Sequence, residues 1–234
     1  VRRIAREAAE AACPEGIVLL LSSRAERELL NASDVPAVVW GSVEPDLTRL
    51  CWIDRDQRQI GRLLAGNLIA HGHRRVVIMM RDIWALGENL LLDGVAEVLG
   101  EAGLRANSLT VHSCSASDSA VAVAVQTVFD VEPRPTGLIC RTEFQAGVAA
   151  RVLTELGWRE SVEIAVCDPR NPDQELPYMS TVPQEDENRT GERVGRMLAA
   201  LCRGESPEPN HYVTAVKAKQ AGDAAPSSPA DISS

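Results

Sequence analysis

Short apolar runs alternate with helical patterns along most of the chain, and each run is bounded by glycine, proline or a charged residue. Such runs, rich in leucine and β-branched residues, are typical of strands that are buried on both faces of a parallel sheet. They cover residues 16–21, 36–40, 75–80, 109–112, 137–140 and 162–167. The pattern therefore predicts a set of buried parallel strands.

Between these runs, apolar residues recur at helical spacing and predict amphipathic helices. The apolar stripes are Ile60, Leu63, Leu64 and Leu68, then Leu91, Val95, Val98 and Leu99, then Val121, Val125 and Val128, and finally Val194, Met197, Leu198 and Leu201. Residues 2–12 also follow a helical pattern, with no strand before them. The regular alternation of strands and helices indicates a doubly wound α/β architecture.

The charge and cysteine content restrict the partners and the compartment. The net charge of −9 does not favour contact with DNA phosphates, so we expect any nucleic-acid contact to come from another part of the protein. The six cysteines have no C-x-x-C spacing, which indicates reduced thiols in a cytoplasmic protein. We find no signal peptide and no apolar run of the roughly 20 residues that a membrane span requires, so we expect no membrane partner.

The order of the segments resembles that of LacI/GalR transcription regulators. The first matching blocks are CPEGIVLLLSS, VPAVVWGS and IDRDQRQIGRLLAGNLIAHGHRRVVIM. They are followed by LLLDGVAEVLGEAGL, TGLICRTEFQAGVAARVLTELGW, VEIAVCDPRN and YMSTVPQEDENRTGERVGRMLAAL. The GHRR block is moderately specific, and the collinear order of all the blocks from residue 10 to residue 216 is the stronger signal.

The resemblance implies a two-lobed fold of the periplasmic-binding-protein type I, with parallel sheets flanked by helices and a small ligand held between the lobes. It also implies a truncated N-terminal lobe, because the chain opens without the first βαβ of that lobe and without the helix-turn-helix of the family. We expect residues 1–54 to be the remainder of the N-terminal lobe, with a return segment near residues 75–100 in either lobe. Residues 55–218 are expected to form mainly the C-terminal lobe and the crossovers, and residues 219–234 a disordered tail.

Candidate ligand-binding residues follow from the rule that open α/β sheets bind ligands beyond the carboxyl ends of their strands. Sugars are bound by carboxylates and guanidinium groups, together with an aromatic ring. The candidates at the predicted strand ends are Ser22, Asp56, Arg81, Trp84, Arg141, Thr142, Asp168 and Asn171.

Four positions depart from the family pattern. Leu91 replaces an arginine that grips the ligand, Arg141-Thr142 replaces an Asn-Asp pair, and Gln145 replaces an alanine. The loss of two polar contacts argues against an ordinary neutral sugar. Arg81, Arg141 and Arg170 are the residues that would favour an anionic ligand, such as a phosphorylated sugar or a small acid.

Simpler structural roles remain open for the same side chains. Asp56 is placed to cap the helix that starts near Gln57, and Asp168 to form a turn with Pro169. Trp84 is as well suited to loop packing as to sugar stacking, and Arg141 to pairing with a nearby carboxylate.

Motifs of catalysis and of metal binding are missing from the sequence. His71 and His73 flank a glycine at a helix end, where histidine favours the helix dipole, so we expect a structural role for both. No H-E-x-x-H, G-x-S-x-G or G-x-G-x-x-G motif is present, so we predict no catalytic residues, metal or cofactor.

The predicted function is a non-enzymatic, ligand-sensing domain of a LacI/GalR-type regulator, which binds a sugar or an anionic metabolite. The alternative is a solute receptor of a transport system with the same fold. The resemblance further implies a homodimer and contact with operator DNA through the missing head. The helix over residues 2–12 (Ile4, Ala8 and Ala11) and the helix near residues 24–30 are the candidate dimer faces.

Overall fold

The computed structural model of the chain describes residues 16–83, 85–171 and 173–222. The predicted helix over residues 2–12 and Trp84 lie outside these ranges, as does the tail from residue 223. In chain order the elements are β1 (Ile17–Leu20), α1 (Arg24–Asn31), β2 (Ala37–Trp40), β3 (Cys51–Arg55), α2 (Gln57–Ala70), β4 (Val76–Arg81), α3 (Leu86–Glu101), a 3-10 turn (Ala106–Ser108), β5 (Leu109–Cys114), α4 (Asp118–Phe129), β6 (Gly137–Thr142), α5 (Glu143–Glu155), a 3-10 turn (Arg159–Ser161), β7 (Glu163–Asp168), β8 (Met179–Pro183), α6 (Glu187–Cys202), β9 (His211–Thr214) and β10 (Val216–Lys219).

The chain divides into two compact units, and each unit is assembled from separated segments. The first unit comprises residues 1–59, 83–93 and 183–216, and the second comprises residues 60–82, 94–182 and 217–234. We refer to them as unit 1 and unit 2. The C-terminal segment 183–216, which carries α6 and β9, belongs to the same unit as the first strands of the chain.

Unit 1 contains a parallel four-stranded sheet in the order β1-β2-β3-β9. One face of this sheet packs its alternate apolar residues, such as Val39, against Leu30 of α1 and the loop that follows β2. The other face packs Val38 and Ile53 against Val194 and Met197 of α6. Both faces are thus covered, as expected for strands without polar alternation.

Unit 2 contains a six-stranded sheet in the order β10-β8-β7-β6-β4-β5, in which the strands from β8 to β5 pair in parallel. The first five residues of β4 are all buried. On one face, Val77 and Leu138 pack against the predicted apolar stripe of α4 and against Val152 of α5. The stripes of α2 and α3 are buried as well, as Leu64 and Leu91 show.

These sheets confirm the predicted α/β class, with parallel strands flanked by helices. Six of the strands coincide with the predicted apolar runs, whereas β3, β8, β9 and β10 lie outside them. Among the described residues, no helix has the length and apolar character that crossing a bilayer requires.

Candidate functional site

The carboxyl ends of three adjacent strands in unit 2 bring together three charged residues that the sequence predicted separately. Arg81 ends β4, Asp168 ends β7, and Arg141 stands one position before the end of β6, which lies between them. The Nη2 of Arg81 donates to Oδ2 of Asp168 at 2.9 Å, and the Nη1 of Arg141 donates to the same oxygen. We call these three residues the arginine–aspartate cluster.

The cluster is embedded in the end of the sheet and opens partly to solvent. The side chain of Arg141 is only 5% exposed, whereas those of Arg81 and Asp168 are 25% and 20% exposed. A charge held at such a site is less screened by water and salt than a charge on the surface. The ion pairs within the cluster are therefore stronger than the same pairs would be on the surface.

The side chains of Thr142, which ends β6, and of Gln145 in α5 hold the segment that carries Arg141. The hydroxyl of Thr142 accepts from the backbone N–H of Gln145, while Oε1 of Gln145 accepts from the N–H of Thr142, both at 3.2 Å. This reciprocal capping box fixes the start of α5. The amide nitrogen of Gln145 also donates to the carbonyl of Met80 and to the sulfur of Cys114. Gln145, a departure from the family pattern, thus ties α5 to the ends of β4 and β5.

The loop after β7 is more exposed. Asn171 is exposed, and its Oδ1 accepts from the backbone N–H of Asp173 at 2.9 Å. The backbone N–H of Arg170 donates to Oε2 of Glu143 at 2.7 Å, which ties this loop to the first turn of α5. Asn171 thereby acts within its own turn, and it lies on the exposed side of the loop that Asp168 begins.

In unit 1, the predicted residue Ser22 lies in a buried ion-pair network. Its hydroxyl and its carbonyl accept from Nη1 of Arg27, at 3.2 and 2.5 Å. The rest of the guanidinium binds Glu44, with Nε to Oε2 at 2.9 Å and Nη2 to Oε1 at 2.6 Å. Burial is the largest single influence and raises the pKa of Glu44, but the hydrogen bonds that its carboxylate accepts and the charges of Arg27 and Arg24 together outweigh burial, so the pKa is lowered. Ser22 therefore supports a buried arginine.

The strand end of β3 carries two aspartates with different surroundings. Asp56, the predicted residue, accepts from the backbone N–H of Gln59 at 2.9 Å, which is the helix-capping contact for α2. Asp54, which was not among the candidates, accepts from the hydroxyl of Ser42 at 2.5 Å and from the amide of Gln57 at 2.9 Å. Gly87 approaches this group so closely that an added Cβ would stand 3.3 Å from Oδ2 of Asp54.

At the opposite, amino edge of the unit 2 sheet, Glu163 binds both predicted structural histidines. His71 Nδ1 and His73 Nε2 each lie 2.9 Å from Oε2 of Glu163, and Asn67 donates to its Oε1. Burial is the largest single influence and raises the pKa of Glu163, but the hydrogen bonds and the electrostatic attraction of His73 and His71 together outweigh burial and lower the pKa overall. These contacts join the end of α2 to the start of β7.

Two of the described cysteines, Cys114 and Cys140, are buried in unit 2. Burial raises the pKa of the Cys114 and Cys140 thiols, so both stay protonated at neutral pH and lack the thiolate that a nucleophile needs. Within the described ranges, no group of three His, Cys, Asp or Glu side chains is placed to hold a metal ion.

The chain is similar to known proteins in both sequence and structure. Residues 65–220, more than half of the chain, match the periplasmic binding protein-like domain. The chain belongs to the periplasmic binding protein-like domain family. Solved structures with a similar fold also superpose on the chain. A LacI-family regulatory protein from Chloroflexus aggregans superposes with a TM-score of 0.78 over 94% of this chain and 81% of that protein, at 22% identity.

The chain is also similar to two transcription regulators. It is 25% identical over 193 residues to the HTH-type transcriptional repressor PurR of Mannheimia succiniciproducens, and 28% identical over 208 residues to the HTH-type transcriptional regulator CelR of Thermobifida fusca. These alignments cover 79% and 85% of this chain, but only 56% and 60% of the relatives. A CelR–cellobiose complex superposes with a TM-score of 0.80 at 22% identity, over 93% of this chain and 68% of that one.

Proposed function

We propose that this chain is the ligand-sensing domain of a LacI/GalR-type transcription regulator, which binds a small-molecule effector without breaking a bond. The observation that carries the proposal is the arginine–aspartate cluster, because charged side chains from three adjacent strands converge where α/β sheets bind ligands. The similarity to two HTH-type regulators supports the regulatory role over the transport-receptor alternative.

The partners in this proposal are an effector, a second copy of the chain and operator DNA. The net charge of −9 repels DNA phosphates, so the domain would act on DNA only through a separate helix-turn-helix head. Effector binding would change DNA affinity only as far as the effector binds one conformation of the dimer more tightly than the other. The setting of such a regulator is the cytoplasm.

A ligand screen with the full 234-residue chain tests the sensing role. The panel contains cellobiose, common monosaccharides, their phosphate esters and small organic acids, and the readout is thermal unfolding followed by calorimetric titration. A true effector at 100 times its Kd stabilises the fold by about 2.7 kcal/mol, which is readily measured as a rise in Tm.

The matched variants in this screen are Arg81→Ala in the cluster and Arg151→Ala outside it. Arg151 pairs with Asp118 and Glu155 on the exposed faces of α4 and α5. We expect Arg81→Ala to weaken the response to the effector and Arg151→Ala to leave it unchanged. A panel in which no compound raises the Tm, or an effector that binds both variants equally, would refute the proposed site.

A further inference from the structure

We infer that the N-terminal segment, residues 1–15, docks through an amphipathic helix into an apolar groove of unit 1 between α6 and β1. The groove has a volume of about 850 Å³, and its lining residues are Gly16, Gly195, Leu198, Ala199, Cys202 and Arg203. This inference concerns the packing of unit 1 and does not depend on the proposed ligand site.

One stripe of α6 is exposed although its residues are small or apolar. Val194 and Met197 of this helix are buried against the unit 1 sheet. Gly195, Ala199 and Cys202 follow one another at helical spacing on the neighbouring stripe, and all three are exposed. Among the described residues, an added Cβ at Gly195 would meet nothing within 4 Å. This side of α6 therefore has room for the close approach of another helix.

The strand beside this stripe is apolar as well. Val18 and Leu20 of β1 are 36% and 60% exposed. Because side chains alternate along a strand, both point to the same face as Gly16. That face adjoins α6, since an added Cβ at Gly16 would stand 2.6 Å from Cδ1 of Leu198. Apolar surface of this kind is unfavourable in water, so the groove is stabilised by whatever covers it.

The N-terminal segment is attached at one end of the groove. Gly16, the first described residue, packs against the C-terminal end of α6, where an added Cβ would stand 3.0 Å from Sγ of Cys202. The sequence of residues 2–12 predicts an amphipathic helix, which would be about 16 Å long, whereas Gly195 and Cys202 are about 10 Å apart along α6. If the chain turns back at residues 13–15, the helix therefore spans the whole groove.

The side chains of the segment and of the groove have complementary sizes. From its attachment at Gly16, the segment would run parallel to α6. In this register Ala8 lies opposite Leu198, and Ile4 lies opposite Gly195, so a small residue faces a large one at both positions. The polar residues of the segment lie on the other side of the predicted helix and would face the solvent.

Trypsin cleavage after Arg6 in the full chain measures the docking, because a docked helix is cleaved only when it opens. Gly195→Leu fills the groove, and Arg196→Leu is the matched control at an exposed position of α6 outside the groove lining. Mass spectrometry follows the cleavage, after circular dichroism has shown that each variant is folded. We expect Gly195→Leu to speed cleavage at least about tenfold and Arg196→Leu to leave the rate unchanged.

The match in size gives a second expectation. Ile4→Ala removes the large side chain opposite Gly195 and should speed cleavage by itself. In Gly195→Leu the same change makes room for the new leucine, so the double variant should be cleaved more slowly than Gly195→Leu alone. Additive effects of the two changes would contradict the proposed register.

Alkylation of Cys202 measures the docking from the side of the groove. The experiment uses a Cys13→Ser background, so that the segment carries no thiol of its own, and mass spectrometry quantifies the label on Cys202. We expect Ile4→Gln to speed alkylation at least about fivefold, since it weakens the apolar face of the segment. Glu10→Gln, on the opposite face of the predicted helix, is the control and should leave the rate unchanged.

Three results would overturn the inference. The first is cleavage after Arg6 that is as fast in the wild-type chain as in a synthetic peptide of residues 1–15. The second is equal cleavage in Gly195→Leu and Arg196→Leu. The third is protection that increases with the concentration of the chain, because a second copy would then cover the groove. If Gly195→Leu does not fold, the alkylation of Cys202 in Ile4→Gln and Glu10→Gln decides the question.

Discussion

Each unit has an ion pair between arginine and a carboxylate near the ends of its strands, but the number of arginines for each carboxylate differs. In unit 1, Arg27 meets Glu44 one to one through two hydrogen bonds, and a hydroxyl and a carbonyl of Ser22 occupy the rest of the guanidinium. In unit 2, two arginines share Asp168. The side chains of Arg27 and Glu44 are 2% and 12% exposed, so the unit 1 pair is also the more enclosed.

The difference separates a structural ion pair from the proposed binding site. The buried pair of unit 1 serves mainly to hold α1 against the loop after β2. The arginine–aspartate cluster of unit 2 lies at a partly open sheet end, where α/β sheets bind ligands. Burial of one arginine alone would not have distinguished the two, because Arg27 and Arg141 are 2% and 5% exposed, whereas the exposure of Arg81 does.

Glu163 provides a third case, in which two imidazoles, those of His71 and His73, contact one carboxylate. An imidazole exists in a neutral as well as a charged form, whereas a guanidinium group in a protein stays charged. The group around Glu163 therefore suits a structural clamp between α2 and β7.

The largest expected effect comes from breaking the unit 1 pair. Arg27→Met would leave Glu44 buried without its cation, and we expect a loss of about 3–5 kcal/mol in the free energy of unfolding. Denaturant unfolding measures this loss. The control is Arg49→Met, because Arg49 pairs with a fully exposed Asp34 and should cost less than about 1 kcal/mol. Equal costs for the two variants would show that the Arg27–Glu44 pair does not stabilise unit 1.

A smaller effect is expected from the arginine–aspartate cluster. Arg141→Met removes one buried cation, but Asp168 keeps Arg81 as a partner, so we expect a loss of about 2 kcal/mol in the same measurement. The losses in the free energy of unfolding for Arg27→Met and Arg141→Met then compare the ion pairs of the two units directly. If Arg141→Met costs as much as Arg27→Met, the cluster is as closed as the unit 1 pair.

The smallest effect concerns the dependence of stability on pH. The pKa of Glu163 is lower in the folded chain than its ordinary value of 4.5. Its contribution is therefore complete above that ordinary value and is lost as the pH falls through the lowered pKa of the folded state. We expect Glu163→Gln to remove about 1 kcal/mol at pH 7 and less in acid, below both pKa values.

Unfolding curves at a series of pH values from neutral to strongly acidic test this expectation. Glu160→Gln, which alters an exposed carboxylate in the preceding 3-10 turn, is the control. A loss of stability in Glu163→Gln that is the same at every pH would contradict the proposed linkage.

Much of the fold was predictable from the apolar pattern, for identifiable reasons. Strands such as β4 are buried on both faces, so their sequence is an uninterrupted apolar run. By contrast, β3 carries Asp54 and Arg55, and β8 carries Ser180 and Thr181. Their polar groups find partners inside the fold, as the hydroxyl of Thr181 does at the carbonyl of Cys167. A pattern of apolar residues cannot show that such polar residues are buried.

The arginine–aspartate cluster was predictable in composition but not in its connections. Arg81, Arg141 and Asp168 each end a predicted strand, and parallel strands bring their carboxyl ends to one edge. The sequence does not show that β6 lies between β4 and β7, or that both arginines donate to the same oxygen. These contacts depend on the strand order, which is visible only in three dimensions. The pairing of Arg27 with Glu44 could not be predicted from the sequence, because the two residues are 17 positions apart and resemble ordinary surface charges.

The discontinuous make-up of unit 1 has a consequence for dissecting the protein by protease or by gene truncation. Val38 and Ile53, near the start of the chain, are covered by Val194 and Met197 of α6, near its end. A fragment that stops at residue 182 would therefore expose one apolar face of the unit 1 sheet to solvent. We expect this fragment to aggregate rather than to fold as a smaller domain. A nick in the loop at residues 82–83 should behave differently, since the two pieces would stay associated through the segments that each contributes to unit 1.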